Sequence, residues 1–175
     1  MSSEKSNEDV IVVFAKSAVP GRVKTRLTPA LKEEQAAALY RAFVEDVAAT
    51  VNEAAASGKA RRVLAFAGPE DDEICRVLAG QGFEVMDQGD GDLGRRLERI
   101  CESVAAGGAR RVVIIGTDSP TLHAEHLGLA FDLLGRHDVV WGPSSDGGYY
   151  LVGLNVGDGD TAPHRHIFQN IDWST

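Results

Sequence analysis

A mostly parallel, helix-covered α/β sheet is the fold this sequence predicts. Three observations carry that prediction. Short apolar runs rich in β-branched residues alternate with amphipathic stretches; several runs are too apolar to leave one strand face wet; and 175 residues at 43% hydrophobic content suffice to fill one core. A single domain over 1–175 is expected.

The elements follow in order. Val10 to Phe14 is a short β-branched run bounded by Asp9 and Lys16, the pattern of a strand buried on both faces. Leu39, Tyr40, Phe43, Val44, Val47 and Val51 then recur at spacings of three and four, which predicts an amphipathic helix from Glu33 to about Ser57, stopped by Gly58. A strand at Arg62 to Ala67, a helix from about Glu70 to Ala79, a short strand at Phe83 to Met86 and a helix from Asp92 to about Ala106 come next. Arg111 to Ile115 is a fourth strand, Ala124 to Leu134 a helix and Asp138 to Trp141 a fifth strand. Each crossover in such a sheet is expected to be right-handed. The last strand, Tyr149 to Leu154, follows too closely for a parallel crossover and is expected to run antiparallel, giving a mixed sheet. Gly153 to Gly159 reads as a surface turn.

Composition excludes several classes. A net charge of −8 and a pI near 5.1 disfavour a nucleic-acid partner. No apolar run approaches the ~18–20 residues of a membrane span, and Met1 to Asp9 lacks the features of a leader, so a cytoplasmic protein without a membrane partner is expected. Cys75 and Cys101 are far apart and read as reduced, buried thiols. His123, His126, His164 and His166 have poor metal spacing and read as solvated.

Ligands of open α/β sheets bind outside the carboxyl ends of the strands, and three loops there are chemically unusual. In AKSAVPGRVKTRL, Gly21 frees the backbone while Arg22, Lys24 and Arg26 alternate with Val23 and Thr25; in an extended loop this puts three cations on one side, a clamp for a polyphosphate. Together with Lys16 these are four of the 18 Lys and Arg residues, in a segment without an acid. A solvated basic loop, or one held by surface acids, is the alternative. The loop fits neither GxxxxGK[ST] nor GxGxxG, which disfavours P-loop kinases and nicotinamide enzymes. In GTDSP, Asp118 leaves a very apolar strand with its carboxylate available for a hard cation such as Mg2+ (or Mn2+) shared with phosphates, or else Asp118 or Ser119 acts as an N-cap or turn former before Pro120. In GPSSDGGYYLVG, Ser144, Ser145, Asp146, Gly147 and Gly148 offer an acceptor-binding turn, Asp146 being a second candidate metal contact. The turn itself accounts for the glycines.

FAKSAVPGRVKTRL, GTDSP, GPSSDGGYYLVGL and the terminal IDWST, in this order, resemble a bacterial glycosyltransferase-A-like family related to nucleotide-diphospho-sugar transferases. Some members are named as arsenosugar biosynthesis glycosyltransferases, and the loops are also similar to those of 2-phospholactate guanylyltransferases. The resemblance implies a three-layer αβα fold and nucleotide chemistry. By position it implies that Lys16, Gly21, Lys24 and Arg26 hold nucleotide phosphates, that Asp118 binds the metal, and that Asp146, Gly147 and Gly148 face the second substrate. Relatives usually continue beyond Trp173 to Thr175 into a further helix, strand and late acid, so this chain is expected to be a shortened chain, a weakened enzyme, or one in which Asp146 substitutes. The expected function is Mg2+-dependent transfer from a nucleotide-activated donor to an unknown small acceptor. Lys24, Arg26 and Asp118 would be catalytic, with glycosyl transfer from a nucleotide-diphospho-sugar as the leading version. Nucleotidyl transfer from a nucleoside triphosphate and a non-catalytic nucleotide-binding module are the alternatives.

Overall fold

The computed structural model describes residues 8–56, 58, 60–145, 147–157, 163–169 and 171. Six strands, β1 (Asp9–Lys16), β2 (Ala60–Ala67), β3 (Glu84–Asp87), β4 (Arg111–Ile115), β5 (Val139–Pro143) and β6 (Tyr149–Asn155), form one sheet in the order β3-β2-β1-β4-β6-β5. Strands β1 to β4 are parallel, and β6 runs antiparallel to both β4 and β5. The mixed sheet and the antiparallel last strand are as the sequence predicts.

Helices α1 (Glu33–Ala55), α2 (Glu73–Gly80) and α4 (Ala124–Leu134) cover one face, and α3 (Leu93–Ala106) the other. The strand period of two divides the core: Ile11, Val13 and Ala15 point towards α1, α2 and α4, while Val10 and Val12 point towards α3. Local chemistry sets the helix starts. The Asp72 carboxylate accepts from the Ile74 N–H at 2.9 Å, and Asp92 caps α3 by accepting from the Arg95 N–H at 2.8 Å. Among the described residues, no helix is long and apolar enough to cross a membrane.

Four expectations are corrected. First, α4 shares a face with α1, yet β4–α4–β5 crosses the sheet in the opposite direction from β1–α1–β2, so its hand is opposite to that of the other crossovers. What holds α4 there is its packing beside α1: Leu127, Ala130 and Leu134 join the α1 core, and the Thr50 hydroxyl donates to the Leu122 carbonyl at 3.0 Å. Second, Gly153 is not in a surface turn; it lies within β6, where a Cβ would stand 3.2 Å from Leu134. Third, His164 is buried at 2% exposure, in a short 3-10 turn (Pro163–Arg165) packed on α3 and β6. Fourth, the basic loop is not extended, as described below.

Gly142 on β5 shows how tightly the sheet edge is packed. A Cβ there would fall 2.7 Å from the Tyr150 ring and 3.0 Å from the Leu151 Cβ. Gly142→Ala is therefore expected to destabilise the protein by about 1–3 kcal/mol, the usual cost of overpacking, measured by urea unfolding; an unchanged midpoint would show that Tyr150 yields freely.

Candidate active site at the carboxyl rim

Strand order reverses between β1 and β4, and the loops that follow these two strands flank the crevice there. Lys24 and Asp118, 94 residues apart in sequence, meet across it: the Lys24 ammonium donates to Asp118 Oδ1 at 2.8 Å. The partners differ in freedom. The Lys24 side chain is only 16% exposed, its Nζ lying 4.4 Å from the centroid of the Phe43 ring, whereas the Asp118 side chain is 81% exposed. A cation over an aromatic face is attracted to it, so the lysine is the more anchored partner and the carboxylate the more open.

The loop reaches this geometry without being extended. Val23 is buried and pins it to the core, Lys24 adopts φ 49°, and Thr25–Leu27 forms a 3-10 turn. Alternation therefore does not align Arg22, Lys24 and Arg26; the fixed cation is Lys24, while Arg22 and Arg26 are exposed at the surface. Lys16 turns back on the loop, its ammonium donating to the Arg22 carbonyl at 3.0 Å. Gly21, at φ 74°, passes so close to α1 that a Cβ would stand 3.0 Å from the Glu33 carboxylate. The positive φ favours glycine, whereas the Glu33 side chain could swing aside.

Asp118 does not cap α4. The N-cap position is His123, so the capping alternative falls away, while Ser119 does open a turn, its carbonyl accepting from the Leu122 N–H at 3.1 Å. The β5–β6 hairpin emerges at the same rim, since Ile115 pairs with Leu151 and Pro143 with Tyr149. Its backbone closes on itself, the Ser144 N–H donating to the Gly148 carbonyl at 3.0 Å and the Gly147 N–H to the Ser144 carbonyl at 3.2 Å. Ser144, Ser145, Gly147 and Gly148 are thus on the side of the sheet that carries Asp118, while Asp146 lies outside the described residues, as do Trp173 to Thr175. No group of three or more His, Cys, Asp or Glu residues able to hold a metal occurs among the described residues; a hard cation can take one or two carboxylates and complete its shell with phosphate oxygens and water. An exposed carboxylate in the loop just beyond β4 fits that role.

Sequence reasoning missed the residues that brace the rim. Tyr40 entered only as part of an apolar stripe, yet its hydroxyl accepts from the Lys16 N–H at 2.9 Å and from the Thr117 hydroxyl at 3.4 Å, tying the β1 and β4 loops together. Burial raises the Tyr40 phenol above its ordinary value; the negative charge of Asp118 adds to this and the hydrogen bonds with Thr117 and Lys16 oppose it. The group beneath Asp118 is therefore neutral at physiological pH. Tyr40→Phe would leave the Lys16 N–H without its partner, at a cost of about 1–3 kcal/mol, readable as a lowered unfolding midpoint; a midpoint equal to the parent's would remove Tyr40 from this role. Phe43, one turn further along α1, is the second missed residue. A third group is Ser17 with Asp72: the Ser17 hydroxyl donates to the Asp72 carboxylate, locking the β1 loop to the start of α2.

Gln88 is the fourth. It is 6% exposed, and its side-chain amide donates to the carbonyls of Ala15 and Ala65, each at 2.9 Å. The segment Asp87–Asp92, acids and glycines leading into α3, was the available signal. The two thiols are buried as expected, and burial pushes Cys75 up to about 11 and Cys101 up to about 12. Both stay protonated and lie outside the rim chemistry.

A sheet of this order, with its polar loops gathered at one rim, is that of the nucleotide-diphospho-sugar transferases, and three solved structures share it. A protein from Desulfovibrio desulfuricans, described as a putative nucleotide-diphospho-sugar transferase, is 32% identical, with a TM-score of 0.79 over 95% of this chain and 69% of its own. A 4-diphosphocytidyl-2C-methyl-D-erythritol synthase from Anaerococcus prevotii is 10% identical, TM-score 0.53, over 89% of this chain and 74% of its own. A cytidylyltransferase from Leptospira borgpetersenii is 12% identical, TM-score 0.52, over 85% and 60%. At such identities the last two show the fold alone. Residues 50–175 match the family described as "Uncharacterized protein conserved in bacteria (DUF2064)", and the chain belongs to that family. No curated protein matches it.

Proposed function

We propose that the protein is a transferase that takes a nucleotide-activated donor at the β1/β4 crevice, and that the donor is a nucleotide-diphospho-sugar. One observation carries the reading: an anchored ammonium and an open carboxylate face each other at 2.8 Å where the strand order reverses. Opposite charges so placed suit a metal-chelated polyphosphate, because the carboxylate meets the metal and the ammonium meets a phosphate oxygen. The 32% identical relative supports the sugar donor.

Asp118 would hold Mg2+ or Mn2+ together with donor phosphate oxygens, with Asp146 as a candidate second contact, and the cation would supply positive charge to the departing diphosphate. The chain's own groups do the rest. Lys24 and Arg26 neutralise charge growing on the leaving group, Lys16, Gly21 and Arg22 shape the loop around the phosphates, and Ser144, Ser145, Gly147 and Gly148 receive the acceptor. Positioning and electrostatics are the expected contributions, and no covalent protein intermediate is required.

Product analysis tests this. The protein is incubated with Mg2+, mixed small acceptors and either nucleotide-diphospho-sugars or nucleoside triphosphates. Release of free nucleoside diphosphate from the sugar donor is expected. Pyrophosphate release from a triphosphate alone would replace glycosyl with nucleotidyl transfer, and nucleotide binding without turnover of either donor would leave only a binding module.

A further inference from the structure

The Lys24–Asp118 contact also bears on the order in which ligands enter, provided the reading above holds. We infer that the free protein does not take up its divalent cation alone: Lys24 occupies the place on Asp118 that a cation would need, and the ion enters only as a chelate of the donor's polyphosphate, with which Lys24 exchanges partners.

Three features lead there. The ammonium is already on Asp118 Oδ1 at 2.8 Å, so a bare dication would have to displace it or bind beside a positive charge. Among the described residues Asp118 belongs to no group of three or more ligating side chains, and Mg2+ gives up its water reluctantly. Finally, Lys24 cannot simply withdraw into solvent, because its side chain is 16% exposed and its Nζ sits 4.4 Å over Phe43. A polyphosphate resolves the conflict. It offers the ammonium a new anionic partner while delivering the metal to the carboxylate, and the flexible lysine stem permits this short shift with Phe43 still beneath it.

The exchange predicts opposite effects of one substitution on two ligands. Mn2+ binding is followed by electron paramagnetic resonance, with the protein alone and with an equal mixture of the four common nucleoside diphosphates. The parent should bind free Mn2+ about tenfold or more weakly than in the presence of nucleotide, a coupling of ordinary size. Lys24→Met should strengthen binding of free Mn2+ severalfold and weaken binding of the nucleotide-bound ion. Asp118→Asn should lose both. A lysine that merely props the loop would weaken both when replaced. The inference is overturned if the parent binds Mn2+ equally well with and without nucleotide, or if Lys24→Met leaves free-Mn2+ affinity unchanged or lowers it. Failure of every nucleotide to bind the parent sinks the donor reading and the exchange together, whereas failure of the lysine arm alone, with nucleotide still bound, sinks only the exchange.

Discussion

Asp118→Ala is expected to abolish the Mg2+-dependent part of nucleotide binding and to lower turnover by about 10²–10³-fold, the scale seen when one preorganised electrostatic group is removed from a site. The same substitution should change unfolding stability by no more than about 1 kcal/mol, because an ion pair with one exposed partner contributes little. That contrast is diagnostic. The Asp118 side chain is 81% exposed and sits beyond the last residue of β4, so nothing in the core depends on it. A thermal-shift series reads both halves: a nucleotide at 100 times its Kd adds about 2.7 kcal/mol to the parent, and the variant with nucleotide should unfold like the parent with nucleotide but no Mg2+, whether or not Mg2+ is added. Retention of the full Mg2+-dependent shift by Asp118→Ala would take the carboxylate out of the site. An equal loss of intrinsic stability would make it a structural residue.

That Asp118 could be singled out at all follows from topology. Arg111–Ile115 and Ala124–Leu134 have the bounds read from the sequence, because a strand buried on both faces and a helix burying Leu127, Ala130 and Leu134 each leave an unambiguous apolar period. Once the strands are known, the rule that ligands sit at their carboxyl ends brings Lys24 and Asp118 to one rim without coordinates. Polar residues inside elements were harder. Strand β2 begins two residues earlier than the Arg62 start read from the sequence, since Ala60 and Arg61 belong to it; the Arg61 guanidinium donates to the Gly107 carbonyl at 2.8 Å, and that of Arg62 lies 5.6 Å from the centroid of the Phe83 ring. Helix α2 begins at Glu73 rather than Glu70 because Asp72 supplies its cap. Alternating charge in a loop says nothing about its φ angles, which is why the turn at Thr25–Leu27 was unreadable. Tyr40 and Phe43 carry the same spacing signal as their apolar neighbours, so their hold on the two rim loops shows only in three dimensions.

Gln88 presents the other large expectation, on stability instead of chemistry. Gln88→Leu keeps roughly the same volume and removes only the amide, so the carbonyls of Ala15 and Ala65 lose their shared donor at a buried point between β1 and β2. Both carbonyls belong to the β1–β2 ladder and keep their backbone partners, so the loss is that of two additional hydrogen bonds at about 0.5–1.5 kcal/mol each, about 1–3 kcal/mol in all by urea unfolding. The damage should not stay local. Ala15 immediately precedes Lys16, whose N–H meets Tyr40, and the backbone around Gln88 is itself gripped by α3: Arg99 donates to the carbonyls of Gln88 and Asp90, and Arg96 to that of Gly91 at 2.9 Å. Loosening this junction frees the start of the basic loop, so nucleotide binding should weaken along with stability even though Gln88 is buried beneath the rim. Stability within about 0.5 kcal/mol of the parent, the range of an inconsequential surface change, would mean that the ladder bonds suffice and that the amide does not set the spacing of β1 and β2. A stability loss with unaltered nucleotide affinity would instead confine Gln88 to the sheet and leave Tyr40 as the brace that positions Lys24 opposite Asp118.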